Sequence, residues 1–237
     1  MKPSALIVAH GQPSDPMPAE RTIAALAAKV AAILPDWHIG SATLAAPDSL
    51  KNAIQYTDTP VIFPLFMSDG WFVRDLLPKR LKATGNGTCH ILPPFGTRAE
   101  IHGLASRTVG HHIMANRWSD EQTTLILAAH GSGRSPSSAL AAKETAEAIS
   151  KILPLHDIRV GFIEEPPWLE NVARNTGRET LCLPLFVALW GHVTTDIPQA
   201  LAKSQFAGTL LDPVGIHPEV PQIIARALSE GSHPHPS

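Results

Sequence analysis

The chain has 237 residues, 44% of them hydrophobic and 17% charged, and a formal net charge of −2. That composition supplies a sizeable core and excludes wholesale disorder, while the near-neutral balance gives no support to a nucleic-acid binder working through a broad basic field. Apolar runs such as Leu125 to Ala129 fall far short of the roughly 20 residues a membrane-spanning helix needs, and Cys89 and Cys182 are too few for a disulfide framework or a cysteine metal cage, so a soluble cytoplasmic protein with no nucleic-acid or membrane partner is expected.

Ala5 to Ala9 is a continuous apolar run, too short for a signal-peptide core, and reads as a strand buried on both faces. Pro18 suits a helix start. Ile23, Leu26, Ala27, Val30, Ile33 and Leu34 then form an apolar stripe that must stop before Pro35. Strands are expected at His38–Leu44, Val61–Phe66 and His90–Leu92, and helices at Ser49–Tyr56 and Val73–Lys82. The segment Ala105 to Thr123 reads as a connector. Thr124 to Ala129 is a second buried strand, followed by a helix capped by Ser137 or Ser138 that ends before Pro154. Further strands are expected at Arg159–Ile163, Leu181–Phe186 and Thr209–Leu211, and helices at Trp168–Asn175 and Thr195–Ser204.

The chain also repeats itself. Ala9-His10-Gly11 recurs as Ala129-His130-Gly131, Pro64-Leu65-Phe66 as Pro184-Leu185-Phe186, and Pro78 as Pro198, always with a shift of 120. Repeats of that size are domains. Two similar α/β halves are therefore expected, 1–115 and 120–228, each a doubly wound parallel sheet, with a flexible tail at 229–237. Ligands of such sheets sit beyond the C-terminal strand ends, and two lobes would offer a cleft between them.

His10 and His130 stand at the ends of the two first strands. From His130 to His192 is 62 residues, and from His10 to Phe72 is also 62. The repeat thus sets His192 against Phe72. Glu164 and Glu165 follow the second strand of the later half, and the matching stretch, Ile39 to Pro47, holds no acid. A lone histidine beside glycine is ordinarily a turn residue, and a lone Glu164 a helix cap. Two imidazoles and a carboxylate at three neighbouring strand ends form instead a donor set for Co²⁺, Fe²⁺ or Ni²⁺ and a set of proton acceptors.

The run Leu127 to Arg134, the run Gly161-Phe162-Ile163-Glu164, and Leu183-Pro184-Leu185-Phe186 followed by Gly191-His192-Val193-Thr194-Thr195-Asp196-Ile197-Pro198 resemble the class II tetrapyrrole chelatases. The likeness is to sirohydrochlorin chelatases of CbiX and CbiK type, with ferrochelatase more distant. It covers residues 4 to about 228 and is sharp only in the second half. It implies insertion of Co²⁺, Fe²⁺ or Ni²⁺ into sirohydrochlorin or a related tetrapyrrole, in cobalamin or siroheme biosynthesis. It implies no organic cofactor, the divalent metal being a substrate. Carried over by position, His130 and His192 become the metal-binding and proton-accepting pair and Glu164 their acidic partner, with Glu165 competing. Arg134, Ser132, Phe72, Arg74 and His10 are the residues expected to meet the macrocycle, with Trp71 and Trp190 as apolar walls.

Two other readings are weighed. The loop Gly131 to Ser135 would suit a phosphate cradle, although Ala9 and Ala129 stand where a histidine phosphatase has arginine. The losses in the first half would suit a non-catalytic metal or tetrapyrrole carrier descended from a chelatase.

Overall fold

A computed structural model describes residues 2–55, 57, 59–85, 89–133 and 135–231. Arg134, Tyr56 and the tail from Ser232 onward lie outside them. In chain order the elements are β1 (Ser4–Ala9), α1 (Pro16–Ile33), β2 (His38–Thr43), α2 (Ser49–Ile54), β3 (Val61–Pro64), α3 (Leu77–Ala83) and α4 (Ala99–Asn116). Then come β4 (Thr124–Ala129), α5 (Ser137–Ser150), β5 (Asp157–Phe162), α6 (Leu169–Val172), β6 (Thr180–Pro184), α7 (Ile197–Lys203), β7 (Thr209–Leu210) and α8 (Val220–Gly231). No helix among the described residues is long and apolar enough to cross a membrane.

The chain folds into two compact units. The first holds 1–95 and 218–237, the second 96–217. In the first, the parallel strands run β2-β1-β3. Ala5 to Ala9 are fully buried, as a central strand covered on both faces requires. Leu6, Val8, Ala42, Leu44, Ile62, Leu77 and Leu81 form one face of the core. In the second, the parallel order is β5-β4-β6-β7. Ile126, Ala128, Leu169, Cys182, Val193 and Ile197 pack together there.

Four elements depart from the sequence reading. The helix α8 is not among those expected, and it takes in residues 229–231, read as the start of a flexible tail, because its apolar face is buried through Leu228. The stretch from Ala105 onward is no bare connector, because it continues the 18-residue helix α4. Ile101, Leu104, Ala105, Val109 and Ile113 form its buried stripe. The buried Ser106 shares that face, and Gly103 and Gly110 lower the helix propensity beside it, which weakens the pattern in the sequence. His90–Leu92 makes only an isolated bridge from Ile91 to Ile62. Neither Ser137 nor Ser138 caps α5, whose cap is Pro136. The compact units also do not follow the repeat boundaries. The helix that ends the first half, α4, belongs to the second unit, and α8, at the end of the second half, belongs to the first.

Each unit carries the same irregularity after its third strand, a π-turn of five residues. Phe72–Leu76 leads into α3 and His192–Asp196 into α7. Its closing bond runs five residues back, from the Leu77 N–H to Phe72 O and from the Ile197 N–H to His192 O. Pro78 and Pro198 follow directly. Lacking an N–H, each proline leaves the carbonyl four residues earlier without its usual α-helical donor, which favours the widened turn.

Candidate functional site

β4 delivers His130 just beyond its last residue. The ring is oriented at once by its neighbour, because His130 Nδ1–H donates to Gly131 O at 2.8 Å. Gly131 holds a left-handed φ of +77° to permit this, and a Cβ there would meet Glu165 Cγ at 2.8 Å and Phe162 Cβ at 2.9 Å. Only glycine accepts that backbone without strain.

β5 delivers Glu164. Past Phe162 the chain leaves the sheet and returns at once, since the Phe162 N–H donates to Pro167 O at 2.9 Å. The Glu164 N–H in turn donates to His130 O at 2.9 Å, linking two of the donors through the main chain. Glu165, the competing acid, has another task. Its Oε1 accepts the Ser132 N–H at 2.9 Å and so ties down the loop after β4. The exposed carboxylate is that of Glu164.

The π-turn delivers His192. Its Nδ1–H donates to Asp196 Oδ2 at 2.6 Å, and its Nε2 lies 3.1 Å from His130 Nε2. The two rings stand perpendicular with centroids 4.5 Å apart. Ligand atoms of His130, Glu164 and His192 all lie within 4.8 Å of one another. With both Nδ1 atoms donating, each neutral ring presents a lone pair at Nε2. Two lone pairs at 3.1 Å repel unless positive charge lies between them. For metal–nitrogen bonds of about 2.1 Å, that separation corresponds to a ligand–metal–ligand angle of roughly 95°, which leaves the outer positions open. Beside the triad is a hollow of about 370 Å³ whose walls include Glu164, Asp196, Glu170, Lys203, Gln199 and Trp168.

Asp196 is the residue that sequence reasoning missed. The signal was present: an acid four positions after His192 and just before Ile197-Pro198. Facing across four residues is an ordinary helical relation, but nothing in one sequence separates such an acid from a solvated one.

The first unit repeats the frame with one of the three donors, His10. Ala9 pairs with Thr43 as Ala129 pairs with Phe162, so Ala45 falls where Glu164 stands. The Ala45 N–H donates to His10 O at 2.8 Å, as Glu164 does to His130. His10 Nδ1–H donates to Gly11 O at 2.9 Å, and Gly11 has φ +78°. The His10 ring meets Phe72 edge-on at 4.3 Å, the place of the second imidazole. Phe72 is flanked by Phe66 and the exposed Trp71. Arg74 is engaged by Asp69 at 2.9 Å, which raises its guanidinium pKa further.

The site residues read from the sequence therefore fall into two groups. His130, Glu164 and His192 meet in the second unit, with Ser132 in the loop beside them. His10 and Phe72 meet in the first, with Arg74 on its surface. The phosphate-cradle reading fails on this loop: the Gly131 N–H is taken by Ser138 Oγ at 3.1 Å and the Ser132 N–H by a carboxylate. A cradle needs those donors turned outward and no acid behind them.

A family model described as CbiX matches residues 124–231. A solved structure of CbiX, the terminal enzyme for biosynthesis of siroheme in denitrifying bacteria, is 41% identical, with a TM-score of 0.88, over 96% of this chain and 98% of that one. SirB from Bacillus subtilis with Fe³⁺ has a TM-score of 0.74 at 16% identity, over 98% of this chain and 96% of that one, a likeness of fold. The probable sirohydrochlorin cobaltochelatase of Halobacterium salinarum is 21% identical over 177 residues, 64% of this chain, and the alignment spans 60% of that relative's length. With 41% identity across nearly the whole of both chains, on a frame whose strand ends carry two imidazoles and a carboxylate, the chain belongs to the CbiX family.

Proposed function

We propose that this chain is a chelatase that inserts a divalent metal ion into sirohydrochlorin or a closely related tetrapyrrole. The observation that carries the reading is the pair of Nε2 atoms 3.1 Å apart, with the Glu164 carboxylate beside them. Two imidazoles and a carboxylate suit Co²⁺, Fe²⁺ and Ni²⁺ alike. The 41% identity to an enzyme of siroheme biosynthesis puts Fe²⁺ first.

The chemistry follows from what metallation demands. The ion must shed water, and the free macrocycle must lose two N–H protons. Three ligands with open positions hold the ion loosely enough to pass it on, unlike a closed four-ligand cage. As the ion leaves, the Nε2 lone pairs and Glu164 are the bases in reach of the departing protons. Half of the arrangement is exposed, with side-chain exposures of 42% at both His192 and Asp196, so a large flat ring has access to the ion. Sirohydrochlorin is rimmed with carboxylates, for which Arg134 is the proposed partner beside the triad. The hollow beside the triad carries three acids against one lysine, so it suits the cation and not the carboxylate rim.

The test is anaerobic insertion into sirohydrochlorin, followed by absorbance with Fe²⁺, Co²⁺ and Ni²⁺ in turn. His130→Ala and His192→Ala should each return the rate to the uncatalysed one. Glu164→Gln should lower it by at least tenfold, and His10→Ala should keep most of it. If His10→Ala is the inactive variant, the site lies in the first unit. If wild type binds metal and macrocycle without accelerating insertion, the chain is a carrier, the reading that the stripped first unit favours.

A further inference from the structure

We infer that Asp196 is a positioning residue for metal capture, setting the tautomer and aim of His192; this rests on the chelatase reading above. The chain supplies its own control. Both units build the same π-turn, closed by the same backbone bond and followed by the same proline. Val73 and Val193 are buried at matching places within it. In the first unit the histidine position is Phe72 and the aspartate position is Leu76, which packs on the apolar core. The turn therefore forms without a carboxylate. Where the imidazole is lost the acid is lost with it, and Glu164 likewise becomes Ala45.

The bond itself explains the pairing. A 2.6 Å contact to a carboxylate is a short, charge-assisted hydrogen bond. It keeps the proton on His192 Nδ1, leaves Nε2 as a lone pair facing His130, and strengthens that nitrogen as a ligand. His130 obtains its orientation from its own Gly131 carbonyl. His192 has no such neighbour in its turn and depends on Asp196. Without it the ring is free to carry its proton at Nε2, where it would face His130 as a donor and shut out a cation.

The full-length chain is titrated with Co²⁺, read by visible absorption, as wild type, Asp196→Leu, Asp196→Asn and His192→Ala. The His192 tautomer is read by nitrogen-15 NMR of the neutral ring. Losing the His192–Asp196 hydrogen bond in Asp196→Leu should weaken Co²⁺ binding by about 10- to 100-fold and move the His192 proton from Nδ1 toward Nε2. His130 should stay as it is. Asp196→Asn, whose Oδ1 still accepts from Nδ1–H, should lose less than Asp196→Leu and keep the tautomer. The Leu variant should melt no lower than wild type, since leucine occupies this position in the other unit. If Asp196→Leu binds Co²⁺ like wild type, or keeps the Nδ1–H tautomer, the positioning role is overturned while the chelatase reading stands. If wild type takes up no Co²⁺, or His192→Ala takes it up unchanged, the metal site itself is overturned and this role with it.

Discussion

A methyl group at Gly131 tests how closely the second unit's strand end is built. Alanine there would be held at φ +77° with its Cβ inside contact distance of both Glu165 and Phe162. The left-handed backbone alone costs about 1–2 kcal/mol, and Glu165 must move, releasing the Ser132 N–H. Gly131→Ala should therefore lower stability by at least about 1 kcal/mol and weaken Co²⁺ uptake more than tenfold, measured by urea melts and metal titration. At this scale the sequence was partly transparent. His130 and His192 stood out because the internal repeat supplied a comparison, one of them matched and the other replaced by Phe72. Glu164 and Glu165 are not separable in the sequence, because two prolines blur the register; the structure distinguishes them, Glu165 accepting the Ser132 N–H and Glu164 standing with the two histidines. The Asp69 partner of Arg74 was likewise invisible, since five residues of spacing has no meaning outside a known turn.

Strands read more easily than helices here. The buried runs in β1 and β4 were recognised because both faces of a central parallel strand must be apolar. The helix α4 is only half legible because two glycines lower its propensity and the buried face includes Ser106. The π-turns were not legible, for a widened turn has no periodicity of its own over five residues. Within β6, Cys182 is fully buried, and desolvation pushes its thiol up to about 12. An unfolded cysteine ionises near 8.5. The folded pKa is the higher one, so the folded chain keeps a proton that the unfolded chain releases. The contribution of this group is fully present below about pH 8.5 and is lost as pH rises toward 12. Urea melts between pH 8 and pH 10 should show falling stability, and Cys182→Ala should remove that part of the slope. In the native chain a thiol reagent should leave Cys182 unmodified until denaturant is added.

Over the whole molecule, the repeat implies two units built on parallel sheets, and two such sheets are present, but it places their boundaries by sequence similarity. The contacts place them elsewhere. Because α8 packs against α1 and β3, the first unit borrows a helix from beyond the second. Val220, Ile223, Ile224 and Leu228 are buried in it, a burial worth roughly 1.5–3 kcal/mol each. That sum is comparable with the whole stability of a typical domain. A chain stopped after His217 should therefore lose amide-exchange protection in β1, β2 and β3 while β4, β5 and β6 keep theirs. Equal protection in both sheets would show that α8 is dispensable. During synthesis, then, the first unit must wait, unfinished, for a stretch translated after the second, and a scissors cut at the evident seam of the duplication would leave neither fragment wearing its own lid.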